Sequence, residues 1–77
     1  MKITILFFGA LADISGAGKI EFQYSEDTEK LNEQLIIKYP LLKNKNYRIA
    51  VNKVLINKTQ LLNEGDTVAL LPPFAGG

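Results

Sequence analysis

Residues 3–8, with the sequence ITILFF, narrow the possible folds of this 77-residue chain more than any other segment. β-branched and aromatic side chains fill the segment, which predicts a buried strand. Because no other segment is so uniformly apolar, we expect it to lie centrally in a sheet, with the last strand of the chain beside it. Gly9 ends this strand, and the composition of residues 10–18 is typical of a loop.

A second strand and a helix follow. Residues 19–24 alternate polar and apolar side chains, which predicts a half-buried strand with Ile20, Phe22 and Tyr24 facing inward. Residues 28–38 are predicted to form one helix, because apolar side chains recur there about every four residues.

The ends of this helix carry recognisable signals. Ser25, Asp27 and Thr28 are all suitable N-caps, and acidic residues at a helix start are favoured by the helix dipole. At the other end, Tyr39 precedes Pro40, and a residue before proline avoids the helical conformation. The helix is therefore expected to end at about residue 38.

The second half of the chain predicts short strands joined by turns. Residues 43–47 are polar and predict a loop, and residues 61–62 a brief extended piece or a 3₁₀ turn. Residues 63–66 are a strong turn signal. The strands are predicted over residues 48–52, 54–57 and 67–71, with Asn52 and Lys53 forming the turn between the first two.

The predicted element order is β-β-α-β-β-β, which favours an α+β domain. We expect a mixed sheet of four to five strands with one main helix packed across one face. This is the ubiquitin-like β-grasp arrangement. The domain is predicted to span residues 1–71, and residues 72–77 to form an extended C-terminal tail.

The residue types that are missing exclude several functions. The chain has no cysteine and no histidine, so it lacks thiolate and imidazole ligands, a cysteine nucleophile and the commonest general base. We therefore expect no bound cofactor, no metal site and no catalysis by the isolated chain. The net charge of +1 gives no sign of nucleic-acid or membrane binding. No segment approaches the ~20 apolar residues of a membrane-spanning helix, and we expect a cytoplasmic protein.

Three local patterns imitate functional motifs. Residues 16–19 (GAGK) lack the surrounding residues of a phosphate-binding loop, because Asp13 and Ile20 stand where glycine and Ser or Thr are needed. The carboxylate pairs at residues 26–27 and 64–66 are explained by helix capping and turn formation. Five basic residues between positions 43 and 58 form either a solvated surface or a weakly basic edge that attracts an acidic partner.

Residues 72–77 are the most informative segment for function. Pro72 and Pro73 hold the backbone extended, and the six residues can reach up to ~20 Å from the domain. Beyond Phe74, Ala75 and Gly76-Gly77 carry almost no side-chain bulk, which suits insertion into a narrow channel of another protein. A carboxylate is a poor electrophile, but adenylation makes the Gly77 carboxylate reactive, and displacement of AMP by a persulfide sulfur leads to a thiocarboxylate.

Residues 70–77 (LLPPFAGG) resemble the C-terminal signature of the small subunit of molybdopterin synthase, in which an apolar strand runs into Pro-Pro-x-x-Gly-Gly. Similar segments extend along the chain. Residues 6–8 resemble the first strand of that family and residues 50–52 its third. Residues 64–69 resemble its Gly-Asp-x-Val entry into the last strand.

The resemblance implies a sulfur carrier in molybdenum cofactor biosynthesis. Gly77 would be adenylated by an E1-like adenylyltransferase that uses ATP and magnesium, and a sulfurtransferase would supply sulfur. The tail would then enter the large, catalytic synthase subunit and donate sulfur to a cyclic pyranopterin, in a heterotetrameric assembly. The family positions that contact the partner correspond to Phe8, Leu55 and Leu71.

The strand pattern also favours a partner surface. The last strand and the first strand are apolar on both faces, yet one helix covers only one face, and exposed apolar patches often mark interfaces. Three alternatives remain open at this point. They are a sulfur carrier for thiamine thiazole synthesis, whose tail usually lacks the Pro72-Pro73 pair, a ubiquitin-like modifier conjugated through Gly77, and a binding domain with an unused tail.

Overall fold

A five-stranded mixed sheet forms the domain in the computed structural model, which describes residues 1–73. Phe74, Ala75, Gly76 and Gly77, to which sequence analysis assigns the reactive end, lie outside the described residues. The elements are β1 (Lys2–Phe7), α1 (Leu11–Ser15), β2 (Lys19–Gln23), α2 (Thr28–Lys38), a 3₁₀ segment (Pro40–Asn44), β3 (Arg48–Val51), β4 (Val54–Ile56) and β5 (Thr67–Leu71).

The strand order in the sheet is β2-β1-β5-β3-β4. β1 pairs antiparallel with β2 and parallel with β5, and β3 pairs antiparallel with both β5 and β4. The predicted α+β class, the β-grasp arrangement and the adjacency of the first and last strands are confirmed. The middle position, however, belongs to β5 and not to β1, because two strands from the second half of the chain extend the sheet beyond β5.

The core lies between α2 and one face of the sheet. Along β1, Ile3, Ile5 and Phe7 are buried, whereas the residues between them are only partly buried. β5 shows the same alternation, with Val68 and Leu70 fully buried. Burying a side chain of this size contributes about 1.5–3 kcal/mol relative to leaving it exposed. The alternation therefore assigns one face of the sheet to the core, and α2 packs on that face.

Helix α2 begins and ends where the sequence predicts. The Asp27 side chain caps it by accepting a hydrogen bond from the Lys30 backbone N–H at 2.8 Å. At its end, the Tyr39 N–H donates to the Leu35 carbonyl at 2.7 Å, and Pro40 opens the 3₁₀ segment. Leu31 and Leu35 are buried against the sheet. Lys30 also pairs with Glu26, but both side chains are largely exposed and such pairs contribute little stability.

Two segments predicted as loops contain short helices. Residues 11–15 form α1, in which Leu11 is buried and Ile14 packs on the core. Hydrophobic contact with the sheet stabilises this single turn, which is too short to show a helical period in the sequence. Residues 40–44 form the 3₁₀ segment, which overlaps the predicted 43–47 loop and buries Leu42.

The turns agree with their sequence signals. Asn52 and Lys53 have φ values of 49° and 74°, as a two-residue hairpin turn between β3 and β4 requires. Asp66 stabilises the turn before β5 by accepting the Asn63 backbone N–H at 2.8 Å. Leu61 forms an isolated antiparallel bridge with Asp27, which supports the extended alternative for that position.

Replacement of a core residue of α2 is expected to destabilise the domain strongly. Leu35→Ala should lower the free energy of unfolding by about 2–5 kcal/mol, since it removes a buried side chain and leaves a cavity. Ile37→Ala, on the solvent side of the same helix with 71% exposure, should change it by at most about 0.5 kcal/mol. Urea denaturation followed by circular dichroism measures both, and equal losses would contradict the assignment of helix faces.

Candidate functional surface

An apolar row crosses the face of the sheet that α2 does not cover. The strand register places Leu6 of β1 beside Ala69 of β5, Ala69 beside Ala50 of β3, and Ala50 beside Leu55 of β4. Side chains at paired positions of neighbouring strands point to the same face. Four of the five strands therefore contribute to one continuous surface.

This row is the floor of a groove with a volume of about 410 Å³. Phe8 and Leu71 extend the apolar surface toward the ends of β1 and β5, because they share the face of Leu6 and Ala69. Phe8 is 46% exposed and Leu55 is 49% exposed, so two large apolar side chains of one contiguous patch face solvent. The groove is lined by Leu6, Phe8, Ala50, Asn52, Lys53, Leu55, Thr67, Ala69 and Leu71.

The three residues predicted as a partner surface, Phe8, Leu55 and Leu71, all line this groove. Sequence reasoning did not assign the remaining lining residues to the surface. The two-residue alternation would have found Leu6, which shares a face with Phe8. No local pattern identifies Lys53, since its place at the rim follows from the hairpin between β3 and β4.

The predicted tail starts at the same end of the sheet. Pro72 follows β5 directly and is partly buried, whereas Pro73 is exposed. Phe74, Ala75, Gly76 and Gly77, predicted to insert into a partner and to carry the reactive carboxylate, lie outside the described residues. Within residues 1–73, therefore, the candidate surface is the groove together with the first two residues of the tail.

Asn52 fixes one end of the groove. Its side-chain amide donates to the Asp66 carboxylate at 3.0 Å, and its side-chain oxygen accepts the Thr67 backbone N–H at 2.9 Å. The Asn52 backbone N–H in turn donates to the Thr67 carbonyl at 2.8 Å. These bonds attach the β3–β4 hairpin, and with it Lys53 and Leu55, to the start of β5.

The other polar clusters have structural explanations. Asp27 and Asp66 belong to carboxylate pairs of the sequence and serve as the helix cap and the turn acceptor described above, as predicted from their local context. Residues 16–19 follow α1, and Gly16 is its C-cap with a φ of 78°. Among residues 1–73, no group of three or more acidic side chains is placed to hold a metal ion. No helix in the same range has the length and apolarity to cross a membrane.

Comparison with known proteins assigns the family. The family model described as "ThiS family" matches residues 5–77, which is nearly the whole chain. The chain belongs to the ThiS family. The match includes the second half of β1, the whole of the other four strands, the residues that line the groove and the tail.

Two relatives of this ThiS-family chain bear the same name. Over its whole length, the chain is 35% identical to the molybdopterin synthase sulfur carrier subunit of Mycobacterium tuberculosis and covers 99% of that protein. It is 30% identical to the molybdopterin synthase sulfur carrier subunit of Chlamydomonas reinhardtii, with all of both chains covered.

A solved structure agrees with this family assignment. The structure of the complex of subunits 1 and 2 of the molybdopterin-converting factor from Helicobacter pylori contains a chain with the same fold. That chain matches with a TM-score of 0.74, 29% identity and 100% coverage of both chains.

Replacement of Asn52 is expected to test how the groove is held. Asn52→Gly keeps the left-handed backbone accessible but removes the side-chain hydrogen bonds, which should cost about 1–2 kcal/mol of unfolding free energy. Asn52→Ala should cost about 1 kcal/mol more, because alanine is strained at positive φ. Thermal or urea unfolding measures the difference. Equal losses in the two variants would show that the backbone conformation at position 52 is not strained by a side chain.

Proposed function

We propose that this chain is the sulfur carrier subunit of a molybdopterin synthase and that Gly77 carries the sulfur as a terminal thiocarboxylate. One observation carries the proposal, namely the similarity over the entire chain to two relatives that bear this name. The apolar groove beside Pro72 supports it, because a carrier needs a docking surface close to its reactive end.

The first chemical step is activation of the tail. A Gly77 carboxylate oxygen attacks the α-phosphorus of ATP, held with magnesium by an E1-like adenylyltransferase, and pyrophosphate leaves. The product is an acyl-adenylate, in which AMP is a good leaving group. The chain contributes only the carboxylate, and the partner supplies the nucleotide site.

The second step introduces sulfur. A persulfide on a sulfurtransferase attacks the acyl carbon and displaces AMP, which forms an acyl disulfide. A thiol then reduces that disulfide, so that the outer sulfur stays on Gly77 as the thiocarboxylate while a new disulfide forms with the reducing thiol. The absence of cysteine from the chain fits this scheme, because a thiocarboxylate requires no thiol on the carrier.

The third step transfers sulfur in the large synthase subunit. The thiocarboxylate sulfur attacks a carbon of a cyclic pyranopterin phosphate and displaces the oxygen substituent that this carbon carries, which gives a thioester. Water then cleaves the bond between the acyl carbon and the sulfur. Cleavage restores the Gly77 carboxylate and leaves the sulfur on the pterin. Two rounds provide the two sulfur atoms of the dithiolene, and a heterotetramer with two carriers is the assembly we propose.

Docking on the large subunit is proposed to use the groove. Its apolar lining from β1, β3, β4 and β5 offers a site for an apolar element of the partner, and burial of the exposed Phe8 and Leu55 side chains would favour association. Pro72 leaves the sheet beside this surface. A partner seated on the groove would therefore receive the tail directly, without rearrangement of the domain.

Mass spectrometry of the chain and of its C-terminal peptide tests whether Gly77 is converted to a thiocarboxylate. After incubation with the adenylyltransferase, MgATP, a sulfurtransferase charged with persulfide and a reducing thiol, the C-terminal peptide should gain the mass of one oxygen-to-sulfur exchange. A variant that lacks Gly76 and Gly77 provides the control and should stay unmodified. Persistent absence of the exchange in the full chain would reject the proposal, and a ladder of conjugates to lysines would favour a ubiquitin-like modifier.

A charge in the groove is expected to weaken binding to the large subunit. Leu55→Asp should raise Kd by roughly thirtyfold or more, since it places a carboxylate in an apolar contact, and such contacts commonly cost 2 kcal/mol or more. Leu41→Asp provides the matched control, because Leu41 is 63% exposed but lies outside the groove. Isothermal titration calorimetry measures both values. Equal affinities in the two variants would exclude the groove as the docking surface.

A further inference from the structure

Gly9 lies immediately against the first residue of the tail. A Cβ atom built on Gly9 would be 3.1 Å from Cγ of Pro72 and 3.8 Å from Cδ. The shorter distance is below ordinary van der Waals contact between carbon atoms, which is optimal at about 3.5–4.0 Å. Gly9 also has a φ of +58°, in the left-handed region. Position 9 is therefore restricted both by its backbone conformation and by its contact with Pro72.

The parallel pairing of β1 with β5 brings these two residues together. Phe7 is the register partner of Leu70, and the Phe8 N–H donates to the Leu70 carbonyl at 3.1 Å. Beyond this point the ladder cannot continue through Pro72, since proline has no backbone N–H. In place of a hydrogen bond, the proline ring lies close to the position that a side chain at residue 9 would occupy.

Gly9 also turns the chain away from the sheet. The Leu11 N–H donates to the Phe8 carbonyl at 3.2 Å, and the Ala12 N–H donates to the Gly9 carbonyl at 3.1 Å. These bonds lead the backbone from β1 directly into α1. Because of this turn, the Pro72 ring lies at the end of β1. It is at the same edge of the sheet as Phe8 and Leu71, which line the groove.

We propose that Gly9 is a positioning residue that seats Pro72 and thereby sets the direction in which the tail leaves the domain beside the groove. The inference rests on the proposed carrier function and adds a residue to it. Proline fixes its own φ near −65°, so a shift of the Pro72 ring changes the course of the residues that follow. A side chain at position 9 would displace that ring, whereas the groove itself would remain.

We expect a side chain at position 9 to slow the reactions of the tail without weakening binding of the domain to the large subunit. A variant with a bulkier residue 9 should still dock on the large subunit through Phe8, Leu55 and the rest of the groove. The Pro72 ring, and with it the start of the tail, would have to move by a few tenths of an ångström. Misplacement of a reacting group by about 1 Å can cost on the order of 10²-fold in rate, so this smaller shift should cost less. Adenylation and sulfur transfer should slow, while the affinity for the large subunit should change little.

Asparagine substitutions distinguish the effect of contact with Pro72 from the effect of backbone strain at positive φ. Asparagine tolerates the left-handed region better than most residues, so Gly9→Asn mainly adds bulk against Pro72. Gly16→Asn is the matched control, because Gly16 has a φ of +78° and nothing within 4 Å of a built Cβ. Both variants are compared with the unmodified chain for unfolding midpoint, affinity for the large subunit, and single-turnover rates of adenylation and sulfur transfer.

We expect Gly9→Asn to slow adenylation and sulfur transfer roughly threefold to tenfold, with affinity close to that of the unmodified chain. Gly16→Asn should leave both rates unchanged. If Gly9→Asn and Gly16→Asn show the same rates, the proposal is overturned. It is equally overturned if the loss of rate in Gly9→Asn is matched by a loss of affinity, since that would indicate damage to the groove.

A double-mutant cycle gives a second, independent test. Pro72→Ala removes the ring that a residue 9 side chain would meet, so Gly9→Asn should slow transfer less in the Pro72→Ala background than in the unmodified chain. Additive effects would contradict contact between the two positions.

A nuclear Overhauser effect between the Gly9 Hα and Pro72 Hγ protons tests the contact between Gly9 and Pro72 without an activity measurement. If this contact is present but the unmodified chain is not adenylated, the proposed carrier function is rejected and the contact between Gly9 and Pro72 still stands. If the contact is absent, the proposed role of Gly9 is rejected.

Discussion

β1 and β5 lie side by side as parallel strands, and the position of each proposed functional element depends on this pairing. Parallel strands end at the same edge of a sheet, so Phe8 and Gly9 at the end of β1 lie beside Leu71 and Pro72 at the end of β5. An antiparallel pair would instead place Phe8 near the start of β5 at Thr67. The groove and the start of the tail are neighbours because the first and last strands run in the same direction.

Coverage of the sheet by a single main helix explains the open face. α2 buries one face through Leu31 and Leu35, and among residues 1–73 no comparable helix covers the other. The strands nevertheless carry apolar residues on that face, including Leu6 and Leu55. For an isolated domain this exposure gives no stability. In the proposed complex with the large subunit, the same side chains would be buried against the partner.

Sequence reasoning succeeded where one local signal dominated. The period of α2 and its three candidate caps, Ser25, Asp27 and Thr28, predicted the helix, and Asn52 and Lys53 predicted the turn between β3 and β4. It failed for α1, because a helix of one turn is too short to show a period and depends on contacts of Leu11 with the core. Strand order was predicted only in part for a similar reason, since the hydrophobic pattern identifies buried strands without specifying their neighbours.

The sequence alone determined that the first and last strands are apolar on both faces and that residues 1–77 contain no cysteine and no histidine. It also predicted that a carboxylate after Pro72-Pro73 is the reactive group. Tertiary structure decided that Phe8, Leu55 and Leu71 meet in one groove, and that Gly9 lies under Pro72. The physical reason is the range of the interactions. Alternation and capping act between residues a few positions apart, whereas the groove and the proline seat exist only after strands from both ends of the chain have paired.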